Sequence, residues 1–187
     1  MADELDTHWV DLHKDWRLNE KHYGAIQGHK KDIDLSKKLC AKSLKVMRDS
    51  FDGTGPGMNT SDFRHPVNDQ KYSSSVHPEA LPAVESMRDC MNRTLSFWEE
   101  HIVQSLRADK QVLIISHKNT LKALFTHIQG LHDDDFKKVD VPNAVPIIFE
   151  FDKNLKFLQQ YNLDASCLGS DPQDQLSSLT SSEETDL

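Results

Sequence analysis

The sequence lacks the features that mark membrane, secreted and disulfide-stabilised proteins. None of its apolar runs approaches the roughly 20 residues that a membrane-spanning helix needs. The N-terminus, MADELDTHWV, has neither the basic start nor the apolar stretch of a secretory signal. Its three cysteines, Cys40, Cys90 and Cys167, are too scattered to form a disulfide framework. We therefore expect a soluble cytoplasmic protein with reduced thiols.

The sequence also lacks a basic excess. Its net charge is -8 at pH 7, and residues 164–187 contribute six acids but no Lys or Arg. The remainder is nearly neutral, which argues against a general nucleic-acid-binding surface but permits a local basic pocket for a small anion. Rich in Ser, Asp and Gln, residues 164–187 are predicted to be an acidic disordered tail, whereas residues 1–163 fit one domain.

Apolar periodicity predicts the helices. Pro82 is well placed to open the second helix, and Gly130 is placed to end the third. Apolar residues at steps of three or four predict helices over 34–49, 81–106 and 121–128, with a short helix starting at Asp133.

Short apolar runs predict the strands. Residues 112–115, VLII, are typical of a strand buried on both faces, and 145–151 with 155–161 predict a hairpin. Residues 8–17 also fit a strand, whereas 52–80 hold three of the seven glycines and three of the seven prolines and are predicted to be loop. The pattern indicates an α/β domain whose sheet is incomplete.

Two segments of this pattern invite chemistry. The polar turn 116–119 follows a predicted strand and precedes a helix, the position at which α/β sheets bind ligands. The densest polar cluster is WRLNEKHYGAIQG at 16–28, followed by Lys30 and Lys31. In a cleft, such a carboxylate among cations could relay protons while the cations hold a phosphate; the pattern alone equally allows an exposed polar turn.

Part of this cluster, RLNEKHYG at 17–24, resembles the signature segment of the 2,3-bisphosphoglycerate-dependent phosphoglycerate mutases, in the histidine phosphatase superfamily. The resemblance continues in order to about residue 160. Its other segments are 83–89, 97–100, 112–121, 141–146 and 151–156. It implies an α/β three-layer sandwich with a mostly parallel sheet. It also implies a metal-independent glycolytic enzyme that interconverts 3-phosphoglycerate and 2-phosphoglycerate through a phosphohistidine primed by 2,3-bisphosphoglycerate.

The resemblance also implies site residues. Glu20 matches the glutamate that donates and accepts the substrate's protons, and His117 matches the histidine that stabilises the phosphoryl group in transfer. These roles fit a reaction that depends on positioning and positive charge. Positions that match substrate contacts or line the same segments are Lys21, His22, Tyr23, Lys31, Arg48, Lys118 and Asn119.

The family's nucleophile has no counterpart. It is a histidine in an Arg-His-Gly motif after the first strand, and this sequence contains no such motif. The nearest string, Arg64-His65-Pro66, lies in the predicted loop, with a proline in place of the glycine. The chain begins where the family has already passed its first strands, which accounts for the incomplete sheet.

Substitutions also alter the charge expected around a phosphate. Lys118 replaces a glycine and either adds phosphate attraction or blocks the pocket. Asp49 replaces an arginine, and Gln70 and Lys71 stand where the family has two arginines. These changes, apart from Lys118, reduce the positive charge expected at the site.

Other site types find little support. His127 and His132 are five residues apart, which is not the spacing of two metal ligands on a helix, and no cysteine pair accompanies them. The glycine-rich stretch 53–57 lacks the Gly-Lys-Ser/Thr ending of a phosphate-binding loop.

Two hypotheses remain. The first is an active phosphoglycerate mutase. The second is a truncated, catalytically impaired paralogue that binds phosphoglycerate or associates with copies of itself or with a full-length mutase. For the chain in isolation the second is favoured, because covalent phosphoryl transfer needs a nucleophile.

Overall fold

The computed structural model describes residues 3–4, 6–29, 45–47 and 50–163. The chain divides into two compact units, Met1–Val141 and Pro142–Leu187, and each is described by itself. The predicted tail and most of the predicted helix 34–49 lie outside the described residues, although 45–47 are helical. Within the described ranges, no helix is both long enough and apolar enough to span a membrane.

The first unit is built around a long, three-part helix. Helix α1, Met87–Phe97, begins with a capping box. The Ser86 hydroxyl accepts from the backbone N–H of Asp89 at 3.1 Å, and the Asp89 carboxylate accepts from that of Ser86 at 2.9 Å. It runs through a π-helical stretch, Trp98–Ile102, into α2, Val103–Arg107. The predicted helix 81–106 is therefore confirmed, but its start was wrong because the serine cap, and not Pro82, begins it.

The first unit contains a second long helix. Helix α3, Lys118–Ile128, ends before Gly130, whose φ of 63° suits a helix terminus, as predicted. The 3₁₀ helix Asp133–Lys137 follows at the predicted short helix. Among the described residues before α1 there are four short 3₁₀ helices, Trp16–Leu18, Gly24–Ile26, Pro66–Asn68 and Pro78–Ala80.

The core of the first unit joins these elements. Met87 of α1 and Ala123 of α3, the latter fully buried, pack with Phe51 and Phe136. The two phenylalanine rings meet edge to face with centroids 5.6 Å apart, an arrangement favoured by their quadrupoles. The core thus fixes the start of α1 and the middle of α3 against each other.

Two predicted strands are absent from the structure. Residues 112–115 have no regular secondary structure and make no backbone hydrogen bond within the described part of the chain. Their side chains are not buried, since Leu113 is 70% and Ile115 60% exposed. Residues 8–17 are likewise not a strand. The β-propensity of 112–115 is real, but a strand also needs a neighbour to accept its backbone bonds.

The second unit contains the predicted hairpin. Strands β1, Ile147–Phe151, and β2, Phe157–Asn162, pair antiparallel with an irregularity after Glu150. Asp152 shapes the turn, as its Oδ1 accepts from two backbone N–H groups. This is the only sheet among the described residues, so they do not show the expected parallel sheet.

Residues 17–20 of the first unit are held by side chains instead of by a neighbouring strand. The guanidinium of Arg93, on α1, donates to the carbonyl oxygens of Arg17 at 2.7 Å, Asn19 at 3.0 Å and Glu20 at 3.2 Å. It also donates to the carboxylate of Glu85, which is 4% exposed, and to Cys90 Sγ at 3.5 Å. The buried ion pair therefore connects α1 directly to the segment that carries Glu20.

Three hydroxyl groups complete this anchoring. They come from α1 and from either side of His117, and each donates to a carbonyl oxygen at least 77 residues away in sequence. The bonds run from Thr94 to Arg17, from Ser116 to Leu18 and from Thr120 to Asn19, at 3.2, 2.6 and 2.6 Å.

His22 follows residues 17–20 and has a buried, neutral side chain. Its backbone N–H donates to Glu85 at 2.7 Å, and its Nδ1 accepts from the N–H of Gly24 at 3.1 Å. Its Nε2 is buried with no hydrogen-bond partner in the described structure. Burial lowers the pKa of His22 below its ordinary value, against the attraction of Glu85.

We expect this histidine to make the first unit sensitive to acid. As pH falls below about 6.5, the unfolded chain binds a proton at His22 that the folded chain does not, so the free energy of unfolding decreases. His22→Asn retains an acceptor for Gly24 and should flatten the dependence of stability on pH between about pH 7 and 5. Urea unfolding across that range measures it.

His77→Asn is the matched control. The Nδ1 of His77 also accepts from the N–H two residues on, that of Glu79 at 3.4 Å, but its side chain is 74% exposed. This variant should keep the wild-type slope. Equal slopes for wild type and His22→Asn would contradict the interpretation.

Candidate functional site

A cavity of about 990 Å³ opens beside residues 17–24 of the first unit. Glu20, Tyr23 and His117 line it, so two of the three reach it from the 17–24 segment and the third from the start of α3. Folding thus brings together residues that lie nearly 100 positions apart, and it does so where the resemblance predicts the catalytic pair.

Glu20 bridges the two segments. Its Oε1 accepts from the N–H of Lys21 at 2.7 Å, and its Oε2 faces the N–H of Asn119 at 3.4 Å. Asn119 lies in the first turn of α3, where N–H groups have no partner within the helix and the dipole favours negative charge. The half-buried carboxylate is therefore oriented by two backbone donors, with its charge at the positive end of α3.

Asn119 links Glu20 to Tyr23. Its side-chain amide donates to the phenolic oxygen of Tyr23 at 2.7 Å while its backbone N–H faces Glu20. Because one residue contacts both, the carboxylate and the phenol are held in a fixed relation at the cavity wall.

His117 is the residue that precedes α3. Its side chain makes no capping bond, is exposed and lines the cavity. Lys118, next to it, directs its ammonium to Asp140, whose carboxylate lies 3.7 Å away, and is not part of the cavity lining. In this arrangement Lys118 neither fills the cavity nor offers it an unpaired charge.

Lys21 and His22 turn away from solvent. The Lys21 side chain is buried; its ammonium lies 3.5 Å from the carbonyl oxygen of Met47 and 5.0 Å from the centroid of the Tyr23 ring. Burial lowers the pKa of Lys21, although Cys90 and the nearby glutamates oppose the shift. These contacts place the Lys21 ammonium beside the Tyr23 ring, and both Lys21 and His22 line the cavity. Their role as substrate contacts stays a prediction.

The arginines of the cavity wall are already paired. Arg64 donates to both carboxylate oxygens of Asp62, at 3.0 and 2.6 Å, and holds the pKa of Asp62 down to about 2. Arg93 is paired with Glu85. Lys31 and Arg48, two further cations implied by the resemblance, lie outside the described residues. Besides these arginines, Lys21 lines the cavity as a buried cation.

His65, in the string nearest to the nucleophile motif, is a buried capping residue. It is 3% exposed, and its Nδ1 accepts from the N–H of Val67 to cap a 3₁₀ turn. Its ring centroid lies 6.5 Å from that of His22. These contacts are those of a structural residue, although His65 also lines the cavity.

Sequence reasoning missed the residues that hold the site together. The sequence pattern did not single out Glu85, Arg93 or Thr120, since the periodicity of 81–106 indicates only an apolar stripe, whereas Ser116 was included only as part of the turn 116–119. A charged residue on a largely buried helix was the available signal, since such residues are rarely buried without a partner. Among the described residues, no group of three or more His, Cys, Asp or Glu side chains could hold a metal.

Comparison with known proteins agrees with this geometry. The histidine phosphatase superfamily (branch 1) matches residues 42–164. Over 163 residues the chain is 35% identical to a 2,3-bisphosphoglycerate-dependent phosphoglycerate mutase from Elusimicrobium minutum (strain Pei191). That alignment covers 87% of this chain, which spans only 65% of the length of that curated relative. Since the family match covers more than half of the sequence and includes His117 and Asn119, the chain belongs to the histidine phosphatase superfamily, an α/β family.

Proposed function

We propose that this chain binds phosphoglycerate at the cavity beside Glu20 and His117 but does not transfer the phosphoryl group on its own. One observation carries the proposal: Glu20, Asn119 and Tyr23 form a hydrogen-bonded group at the N-terminus of α3, next to an exposed His117. The family reaction is the interconversion of 3-phosphoglycerate and 2-phosphoglycerate, primed by 2,3-bisphosphoglycerate.

The geometry supports binding in a specific way. His117 can donate a hydrogen bond to a phosphate oxygen at the positive end of a helix, where anions are stabilised. Glu20 is oriented to exchange a proton with a substrate hydroxyl. Lys31 and Arg48 are the further phosphate contacts that we propose from the resemblance.

The same geometry argues against turnover. A phosphohistidine intermediate needs a nucleophilic imidazole opposite the phosphoryl group, and the sequence has no Arg-His-Gly motif to provide it. His65 is buried as a cap. The roles proposed for the other described groups are positioning, charge and proton exchange, and none of these is covalent transfer.

Binding and turnover can be separated with two variants. We expect 3-phosphoglycerate to bind the wild-type chain in isothermal titration calorimetry. His117→Ala should weaken binding roughly 10-fold, about 1.4 kcal/mol, through the loss of one donor to a charged oxygen. Glu20→Gln should not weaken it, because it removes a negative charge beside the substrate anion while keeping an acceptor for Lys21.

Turnover is measured on the same samples. With radiolabelled 2,3-bisphosphoglycerate we expect neither acid-labile phosphohistidine nor mutase activity. Clear turnover that His117→Ala or Glu20→Gln abolishes would show instead that the chain is an active mutase, the alternative function.

We further propose that a copy of this chain or a full-length mutase completes the sheet in the cytoplasm. In the three-layer sandwich with a mostly parallel sheet, 112–115 would be a strand with neighbours on its edges. The exposure of Leu113 and Ile115, and the lack of backbone partners for 112–115 within the described residues, support an association there.

Sedimentation velocity tests this association. We expect the isolated chain to sediment as oligomers, and Leu113→Lys to shift it toward monomer because a charge on that segment opposes burial. Leu158→Lys is the control, since Leu158 is 59% exposed but lies in the hairpin. A wild-type chain that stays monomeric both alone and when mixed with a full-length mutase, or equal effects of both variants, would contradict the proposal.

A further inference from the structure

We propose that Arg93, oriented by Glu85, is a positioning residue that sets the place of the Glu20 carboxylate at the start of α3. The inference rests on the proposed function in so far as Glu20 belongs to a phosphoglycerate site. The sequence alone predicted no role for the Arg93–Glu85 ion pair.

The backbone of residues 17–20 depends on side chains for its hydrogen bonds to distant parts of the first unit. Within the described residues, its backbone bonds to other main-chain groups are local, from Leu18 to Asp15 and from Asn19 to Trp16. The carbonyl oxygens of all four residues accept from side chains instead. The path of the chain into Glu20 is therefore fixed by whichever groups donate to those carbonyls.

Arg93 is the donor with the greatest reach. Its two terminal nitrogens bond the carbonyls of Arg17, Asn19 and Glu20, so one planar group spans four consecutive residues. The carbonyl of Glu20 itself is among them, and the Glu20 side chain leaves the backbone at that residue. A shift of the peptide would therefore move the carboxylate relative to Asn119.

Glu85 sets the orientation of that planar group. Its two oxygens accept from Nε and Nη2 of Arg93, which leaves the outer N–H groups aimed at the carbonyls. The same carboxylate accepts from the N–H of His22 at 2.7 Å. The pair thus holds the segment both before and after Glu20.

A lysine cannot reproduce this arrangement. Its ammonium is a compact point charge with three donors, whereas the guanidinium presents five in a rigid fork. Arg93→Lys would keep the charge next to Glu85 but lose the simultaneous bonds to three carbonyls. Positioning and charge can therefore be separated at this one residue.

The test follows the Glu20 carboxyl directly. Chains labelled with ¹³C at glutamate side chains are titrated by NMR, and Glu20→Gln identifies the Glu20 resonance. In Arg93→Lys we expect that resonance to move and its pH titration to shift, in a chain that remains folded by circular dichroism. We also expect 3-phosphoglycerate to bind at least about 10-fold more weakly in calorimetry.

Arg88→Lys is the matched control on the same helix. Arg88 is exposed and pairs with Asp52 and Asp133, so its substitution alters a charge fork of the same kind away from the 17–20 segment. In Arg88→Lys the titration of Glu20 should match that of the wild type. The affinity of this variant for 3-phosphoglycerate should stay within about twofold of the wild-type value, because surface ion pairs contribute little.

The outcomes distinguish the possible failures. An unchanged Glu20 resonance and titration in folded Arg93→Lys would overturn the positioning role, whatever the affinity. No phosphoglycerate binding by the wild-type chain would overturn the proposed function, while the Glu20 titration would still test Arg93. If Arg93→Lys does not fold, Glu85→Gln takes its place, because it keeps an acceptor for His22. Loss of folding in both variants but not in Arg88→Lys would show a structural role only and overturn the proposal.

Discussion

The site depends on how four consecutive carbonyl groups are satisfied. Residues 17–20 are half-buried or exposed, and all four of their carbonyl oxygens accept from side chains instead of from a neighbouring strand. Those donors come from α1, through Arg93 and Thr94, and from both sides of His117, through Ser116 and Thr120. The bonds that make the segment stable also place Glu20 opposite the start of α3.

The charge that the cavity offers depends on which of its cations are already paired with carboxylates. The described arginines at its wall neutralise Asp62 and Glu85, and Lys118 faces Asp140. Within the described residues, an incoming anion would meet Lys21 and the exposed imidazole of His117 at a helix N-terminus, with Lys31 and Arg48 as proposed additions. These groups support the proposed binding of a small phosphorylated acid.

Local patterns in the sequence predicted the local structure. The helices at 87–107 and 118–128 and the hairpin were predictable because apolar spacing, a glycine stop and a short turn act over a few residues. The absence of the predicted strand at 112–115 was not, because strand formation depends on neighbours that no local pattern specifies. The grouping of Glu20, Asn119 and Tyr23 was reached only through family resemblance, and the role of Arg93 required the three-dimensional contacts.

The central claim is that a site already formed around Glu20 and the start of α3 accepts phosphoglycerate. It is tested most directly by titrating the ¹⁵N-labelled chain with 3-phosphoglycerate and following each backbone amide by NMR. The account predicts saturable shifts concentrated at Lys21 and Asn119, whose N–H groups face the Glu20 carboxylate, and unchanged amides in the hairpin 147–162. Shifts confined to the hairpin, or no shift at Lys21 and Asn119 at saturation, would contradict it.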